Sequence, residues 1–275
     1  MTIRRRLPFN PWHLALAPIA ILFGLPFAWM VISSFMSTAQ INRFPPTIIP
    51  GSLHLQGWET VLGGAEFPRW FLNSTIVAVV TVISNLIFCS MAGYAFARLK
   101  FRGSTTVFLL ILATLIIPFQ ITMIPTFIVM HDLHLSDTLG ALIVPNLVTP
   151  FGVFLMRQFF VNLPIEVEEA ARIDGCSRLG VLVHVAMPLA KPALATLAAL
   201  TFLVSWNELF WPLIVINTDS TFTLPVGLTT FQGAHSVDWP AVMAGNVLTA
   251  LPVVVAFLLT QRTFIASFTS SAVKG

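Results

Sequence analysis

Charge is what this chain has least of. Only 25 of its 275 residues are ionised at neutral pH, 14 Lys or Arg and 11 Asp or Glu, and the resulting 9% compares with roughly 25% in soluble globular domains. That leaves too little polar side chain to clothe a water-facing surface, so a soluble domain is excluded. The basic residues form no long run and no patch interleaved with aromatics, which removes the footprint of a nucleic-acid binder despite a net charge of +3. Cysteine is equally scarce. Cys89 and Cys176 cannot build a disulfide framework, and they fall in an apolar run and on the basic side, as free thiols. The chain also lacks a GxxxxGK[ST] loop to cradle phosphates, and it lacks the short alternating segments of an outer-membrane barrel.

What is present is apolar length. Hydrophobic residues make up 56% of the chain, Phe alone numbers 24, and the mean hydropathy is +0.88. A hydrocarbon core about 30 Å thick needs about 20 apolar residues in a helix. Six stretches meet that length, at 14–35, 71–97, 107–130, 138–156, 193–216 and 239–261. In lipid their backbone must bond to itself, which makes them helices. The fold class read from the sequence is therefore an all-α polytopic membrane protein with six transmembrane helices.

Orientation follows from the basic residues. Arg4, Arg5 and Arg6, then Arg98, Lys100 and Arg102, then Arg157, Arg172, Arg178 and Lys191, and finally Arg262 and Lys274 all fall on one side, leaving only Arg43 and Arg69 on the other. The positive-inside rule places both termini in the cytoplasm. The first apolar run exceeds the 7 to 15 residues of a signal-peptide core, so it reads as a retained helix. This divides the chain into a cytoplasmic N-terminus (1–13), a transmembrane region (14–265) that includes a cytoplasmic loop (157–192), and a cytoplasmic tail (266–275). Residues 36–70, rich in Pro and Gly, read as an irregular outer loop with turns.

The 157–192 connection is far longer than bundled helices need. Within it, Pro164 sits where a helix can start, Glu166, Glu168 and Glu169 fill the first turns, and Gly175 stands at the position of a left-handed cap. Leu163, Val167, Ala170 and Ala171 recur with helical spacing, predicting one apolar face. A second short helix is predicted from Arg178, stopping before Pro188 and Pro192. A helix lying on the membrane surface would have such a face, but those helices are usually rich in Lys and Arg, and the acids here favour a protein partner.

The string Glu169-Ala170-Ala171, with Gly175 four residues later and then Val185, Met187 and Pro188, resembles the EAA loop of the inner-membrane permeases of binding-protein-dependent ABC importers. Asn73-Ser74, the run Tyr94-Ala95-Phe96-Ala97-Arg98, Trp206-Asn207 and the ending Ala272-Val273-Lys274-Gly275 resemble the MalG-type carbohydrate branch. The resemblance covers about residues 14 to 275. Val185, Met187 and Cys176 replace the usual isoleucine, leucine and alanine.

This resemblance implies a type I ABC importer permease fold in the bacterial cytoplasmic (inner) membrane, with the EAA helix as a coupling helix. It implies as partners a cytoplasmic ATPase dimer, a second homologous permease subunit and an extracytoplasmic solute-binding protein, besides the lipid bilayer. It also places ATP and Mg on the ATPase, with no cofactor, metal or enzymatic activity on this chain. Glu168, Glu169, Ala170, Ala171, Asp174, Gly175 and Pro188 become the ATPase-coupling residues, and the loops after the first and fifth spans would face the binding protein.

Glu208 is the one acid inside a span, where a charge costs on the order of 2.5–3.5 kcal/mol on the lenient scale. Trp206, Asn207, Phe210 and Trp211 surround it in sequence, combining flat rings with hydrogen-bonding groups that suit a sugar. Two readings stay open: these five line a substrate pathway, or they form an aromatic belt from which Glu208 reaches water. His131, Asp132, His134 and Asp137 have ligand-type side chains, yet no further ligands accompany them, and the segment reads as a solvated loop. Pro118, Pro125, Pro145 and Pro150 lie in the third and fourth spans as possible kinks. Asn73-Ser74-Thr75 fits a glycosylation sequon but opens a membrane span.

The function expected is thus half of an importer's translocation path for a carbohydrate or polyol. A permease for glycerol phosphate or a glycerophosphodiester is the alternative, against which Glu208 weighs. A stand-alone secondary transporter would need more mid-membrane acids than Glu208, and an intramembrane enzyme would need paired catalytic groups that no span contains.

Overall fold

A computed structural model of the chain describes residues 12–45, 48–64, 66–233 and 236–272. Arg4 to Arg6, most of the 1–13 segment and the last residues, Val273, Lys274 and Gly275, lie outside the described residues. Those described are helical, with one isolated bridge between Gln232 and Val237 and no sheet. Four helices are long and apolar enough to cross a membrane, and two bent pairs bring the number to six if each pair is one span. The described residues fall into two compact units divided at 65/66, 227/228 and 250/251.

In the first unit the Trp12–Ser33 helix carries apolar residues on every side. Phe23, Leu25 and Phe27 are all exposed, the pattern of a helix whose solvent is lipid. The expected irregular loop after it contains two short helices. Thr38–Ile41 is started by a capping box, in which Ser37 and Gln40 satisfy each other's backbone N–H. Gln56–Gly63 buries Gly57 and Val61, and Trp58 stacks on Phe35 at 5.5 Å. The first is held by its cap and the second by the face it buries.

The second unit is built on the Phe67–Arg98 helix. Its buried residues include Trp70, Ser74, Val77, Thr81, Asn85 and Cys89 at intervals of three and four, while Val79, Val80, Ile83 and Ile87 face outward. The Pro150–Val161 helix packs closely against it. A Cβ on Gly93 would stand 2.7 Å from the Arg157 nitrogen, and one on Gly152 would stand 2.7 Å from Cys89 Sγ. Two glycines facing opposite ways let these backbones approach, the small-residue device of membrane helices.

Three of the six expected spans are broken helices. The third divides into Ser104–Thr114 and Phe119–Asp132, bent by 103°, with Pro118 at the break, whereas Pro125 lies inside a continuous helix. The fourth divides into Leu139–Ile143, a 3-10 turn Val144–Asn146 and Pro150–Val161. Pro145 is the second residue of the turn and Pro150 starts the last piece, each placed where its missing N–H costs nothing. The fifth ends at Trp206 instead of continuing to residue 216, and a short helix Phe210–Val215 follows. The break lies at 207–209, and Pro212 falls in the first turn of the following helix, where its missing N–H costs nothing.

The loop helix spans Ile165–Ile173, with Pro164 as N-cap and Asp174 as C-cap. Gly175 has φ +87°. The Cys176 N–H bonds to the Ala171 carbonyl and the Gly175 N–H to that of Arg172, which closes a Schellman cap. The predicted apolar face is turned by one residue. Ala171 is buried, but Val167 and Ala170 are exposed and Glu168 takes the inward place. The next helix does not stop before Pro188: Arg178–Val181 passes through a π turn, Leu182–Ala186, into Met187–Leu189. It then bends by 81° into Lys191–Trp206.

Candidate functional site: a polar-lined cavity and a capped loop helix

A cavity of about 260 Å³ opens where the broken helices of the second unit meet Phe67–Arg98. Its size is near the low end for ligand pockets. Val77 and Thr81 line it from the long helix, Asn146 and Thr149 from the break in the fourth span, and Thr201 and Ser205 from Lys191–Trp206. Glu208, Trp211 and Thr223 complete its polar and aromatic wall. The broken spans explain the site. Where a helix is interrupted, side chains and caps turn inward and non-helical backbone lines a cavity instead of meeting lipid.

The wall is held from behind by Asn85, which is fully buried. Its amide donates to the carbonyls of Thr81 (2.9 Å) and Asn146 (2.7 Å), and its oxygen accepts from the Thr149 hydroxyl at 2.7 Å. One side chain thereby pins the Asn146–Thr149 break to the long helix. Trp211 turns a ring toward the cavity while its indole N–H donates to the Ala141 carbonyl. Glu208 accepts from the Trp211 N–H at 3.2 Å. Two hydroxyls have no partner: Thr81 Oγ1 and Thr223 Oγ1 are buried without a hydrogen bond among the described residues, on residues only 3% and 5% exposed. Buried hydroxyls are normally satisfied, and these two stand on residues of the cavity wall without a protein partner among the described residues.

Of the five residues expected to line a pathway, the structure brings Glu208 and Trp211 to the cavity. Trp206 is instead buried against Phe71 and Phe202. Phe210 points outward and is 65% exposed. Asn207 turns its amide back to the Leu203 carbonyl. The helix end at Trp206 is the reason, because the five no longer share one helical frame. The lining residues missed by sequence reasoning, Thr81 and the supporting Asn85, carried a signal. Thr81, Ser84, Asn85 and Ser90 are polar residues inside an apolar span, and polar groups there mark functional faces.

The segment entering the cavity wall at Thr223 is fastened from two sides. Trp70 Nε1 donates to the Asp219 carbonyl, the Asn73 amide to the Ser220 and Phe222 carbonyls, and the Leu224 N–H to Ser74 Oγ. This is the use made of Asn73-Ser74. From the other side Asp137, at φ +59°, accepts from the N–H groups of Asn217 and Thr218 and from the hydroxyls of Thr218 and Thr221. Desolvation acts to raise the Asp137 carboxyl, but these four donors outweigh it and hold it at about 2, below the usual 3.8. His131 stacks near Phe127. Among the described residues no three His, Cys, Asp or Glu side chains gather as a metal site.

On the loop helix, Glu169, Ala170, Asp174 and Gly175 are exposed, as is Pro188 further on. Glu168 is corrected: expected at a partner contact, it is 5% exposed and bonded within the chain. Its carboxylate accepts from Tyr94 Oη at 2.9 Å and Arg98 Nε at 2.6 Å. Ala171 is also buried, in a cluster with Phe160 and Val181. The outward surface is Glu166, Val167, Glu169, Ala170, Arg172 and Ile173, and Ile173 is 87% exposed.

Comparison with known proteins bears on both places. The chain is 39% identical over 277 residues to the arabinooligosaccharides transport system permease protein AraQ of Halalkalibacterium halodurans, covering 99% of each chain. It is 31% identical over 280 residues to AraQ of Bacillus subtilis, covering 99% of this chain and 100% of that one. A crystal structure of a bacterial ABC transporter involved in the import of the acidic polysaccharide alginate contains a chain similar at a TM-score of 0.79 and 27% identity, over 93% of this chain and 99% of that one. The shared architecture is the type I importer permease fold. Residues 89–266, which include the loop helix and most of the cavity wall, match the binding-protein-dependent transport system inner membrane component family, and the chain belongs to that family.

Proposed function

We propose that the chain is one of two permease subunits of an ATP-driven importer for a neutral carbohydrate, with the cavity contributing to the translocation path and the loop helix receiving the ATPase. The observation that carries the substrate class is the cavity wall. Two buried, unpartnered hydroxyls and the Glu208 carboxylate stand beside the flat Trp211 ring, and a pyranose or furanose offers hydroxyls to the first set and C–H faces to the ring. The lining has no Lys, Arg or His, so nothing there offsets the charge of a phosphate ester. Relatives named for arabinooligosaccharides support the same class.

Coupling is read from the outward face of Ile165–Ile173. An acidic helix that leaves Ile173 and Val167 bare outside the spans has the chemistry of a docking surface. ATP and Mg²⁺ belong to the partner ATPase dimer, both termini and this loop lie in the cytoplasm by the positive-inside rule, and the opposite loops meet a solute-binding protein. The test is uptake of labelled arabinotriose by the reconstituted importer. Thr81→Val with Thr223→Val, and separately Glu208→Gln, should lower uptake or change its range about tenfold, as expected when polar partners of a bound hydroxyl are lost, with ATPase recovery unchanged. Wild-type uptake by both variants would remove the cavity from the path.

A further inference from the structure

The Phe67–Arg98 helix touches both places described above. Near its middle Val77 and Thr81 line the cavity. In its last turns Tyr94 and Arg98, four residues apart and so on one face, grip the loop helix at two points. Arg98 Nε and Tyr94 Oη take the two oxygens of Glu168, and Arg98 Nη2 donates to the carbonyl of Leu163, just ahead of the loop helix. The ion pair is shielded, with its side chains 13% and 6% exposed. Thr81 and Arg98 are 17 residues apart on an uninterrupted helix, or about 25 Å at 1.5 Å per residue.

This arrangement specifies more than proximity. A contact at Leu163 fixes where the loop helix begins, and a contact at Glu168 fixes its rotation. One step of rotation either way would bring Val167 or Glu169 inward, and it is the present setting that leaves Val167, Glu169, Ala170 and Ile173 outside. A buried ion pair is weak evidence for stability, since apolar pairs of similar size often hold a fold as well. Its distinct contribution is a fixed geometry, reinforced here by Tyr94 packing edge-on against Phe160 at 5.5 Å.

We propose that Arg98, assisted by Tyr94, is a positioning residue for energy coupling: by locking Glu168 it makes the loop helix and the Phe67–Arg98 helix move as one body, so that a displacement imposed on the loop reaches Thr81 and the cavity. The inference rests on the reading of the exposed loop face as the ATPase dock. Coupling between distant sites travels through packed side chains, salt-bridge networks and rigid elements, and here the ion pair adds a charged link from the loop helix to the long helix beside the apolar packing of Ala171.

The test uses the whole importer, both permeases with the ATPase pair, in nanodiscs with loaded and unloaded solute-binding protein. The pair is replaced by Arg98→Leu with Glu168→Leu, which leaves no bare charge, and separately weakened by Glu168→Gln, which keeps the shape and the Tyr94 bond. Arg98→Lys keeps the charge but loses the fork. The ATPase should be recovered with each variant, while stimulation of hydrolysis by loaded binding protein and solute moved per ATP fall about tenfold in the Leu pair, within the usual span of coupling effects. Arg98→Lys should fall between. Stimulation and transport per ATP at wild-type level in the Leu pair would overturn the proposal, leaving the ion pair as packing. If the Leu pair does not assemble, Glu168→Gln is read in the same way: loss of stimulation supports the lock and wild-type stimulation overturns it. Failure of the wild-type chain to recover any ATPase is a separate result that overturns the docking reading and the lock together.

Discussion

Replacing Asn85 by Leu tests whether a single side chain holds the cavity wall in place. The substitution keeps volume and apolar character but removes the bonds to the Asn146 carbonyl and the Thr149 hydroxyl, at 2.7 Å each. Hydrogen bonds between membrane helices average about 0.6 kcal/mol with a maximum near 1.7, so two of them amount to about 1–3 kcal/mol. The Asn146–Thr149 break has no helix of its own to fall back on, and that cost should appear as local opening. At about 1.4 kcal/mol per factor of ten, amide exchange at Leu147 and Val153, whose N–H groups bond to the Val144 and Thr149 carbonyls on either side of the break, should accelerate roughly five- to hundredfold. Hydrogen exchange read by mass spectrometry on the detergent-solubilised chain measures this directly. Exchange at the remote end, around Leu133 and His134, should not change. Rates at Leu147 and Val153 within a factor of about two of the wild type would refute the assignment of Asn85 as the pin.

Two further outcomes follow from local geometry. Because the Asp137 carboxyl is held at about 2, below its usual 3.8, its clasp on residues 217–221 contributes stability above pH 4 that is lost as pH falls from about 4 toward 2; limited proteolysis of that segment should rise over this window, and Asp137→Asn should abolish the pH dependence. Gly175 has φ +87° with nothing within 4 Å of an added Cβ, so Gly175→Val should cost about 1–2 kcal/mol by backbone strain alone, while Gly175→Asn costs less. ATPase recovered with each variant by affinity isolation should follow that order, and equal recovery with both would show that the cap does not set the loop.

Composition and chain length decided much of this protein before any tertiary contact was known. With 9% charged residues the bilayer is the only solvent that fits, and apolar run length then sets the number of crossings. The loop helix was legible to its ends, because Pro164, the first-turn acids and Gly175 act through local backbone chemistry that needs no distant partner. What could not be read was the direction of side chains once helices break. Pro118 and Pro145 stand at breaks and Pro212 in the first turn after one, whereas Pro125 lies inside a continuous helix, since a span is interrupted only where the surrounding packing can satisfy the freed backbone groups. The same limit explains the site. Trp206 and Phe210 looked like partners of Glu208 in sequence, but the break at Asn207 sent one inward and the other outward, while Thr81, Asn146 and Thr223 arrived from three other segments. Glu168 and Glu169 are neighbours with the same chemistry, and only Arg98 and Tyr94, some seventy residues earlier, determine which one is buried. Sequence specified the solvent, the helices and their caps; the tertiary structure assigned each polar side chain its partner, because in a low-dielectric interior an unpaired polar group is costly and partners come from wherever the chain brings them.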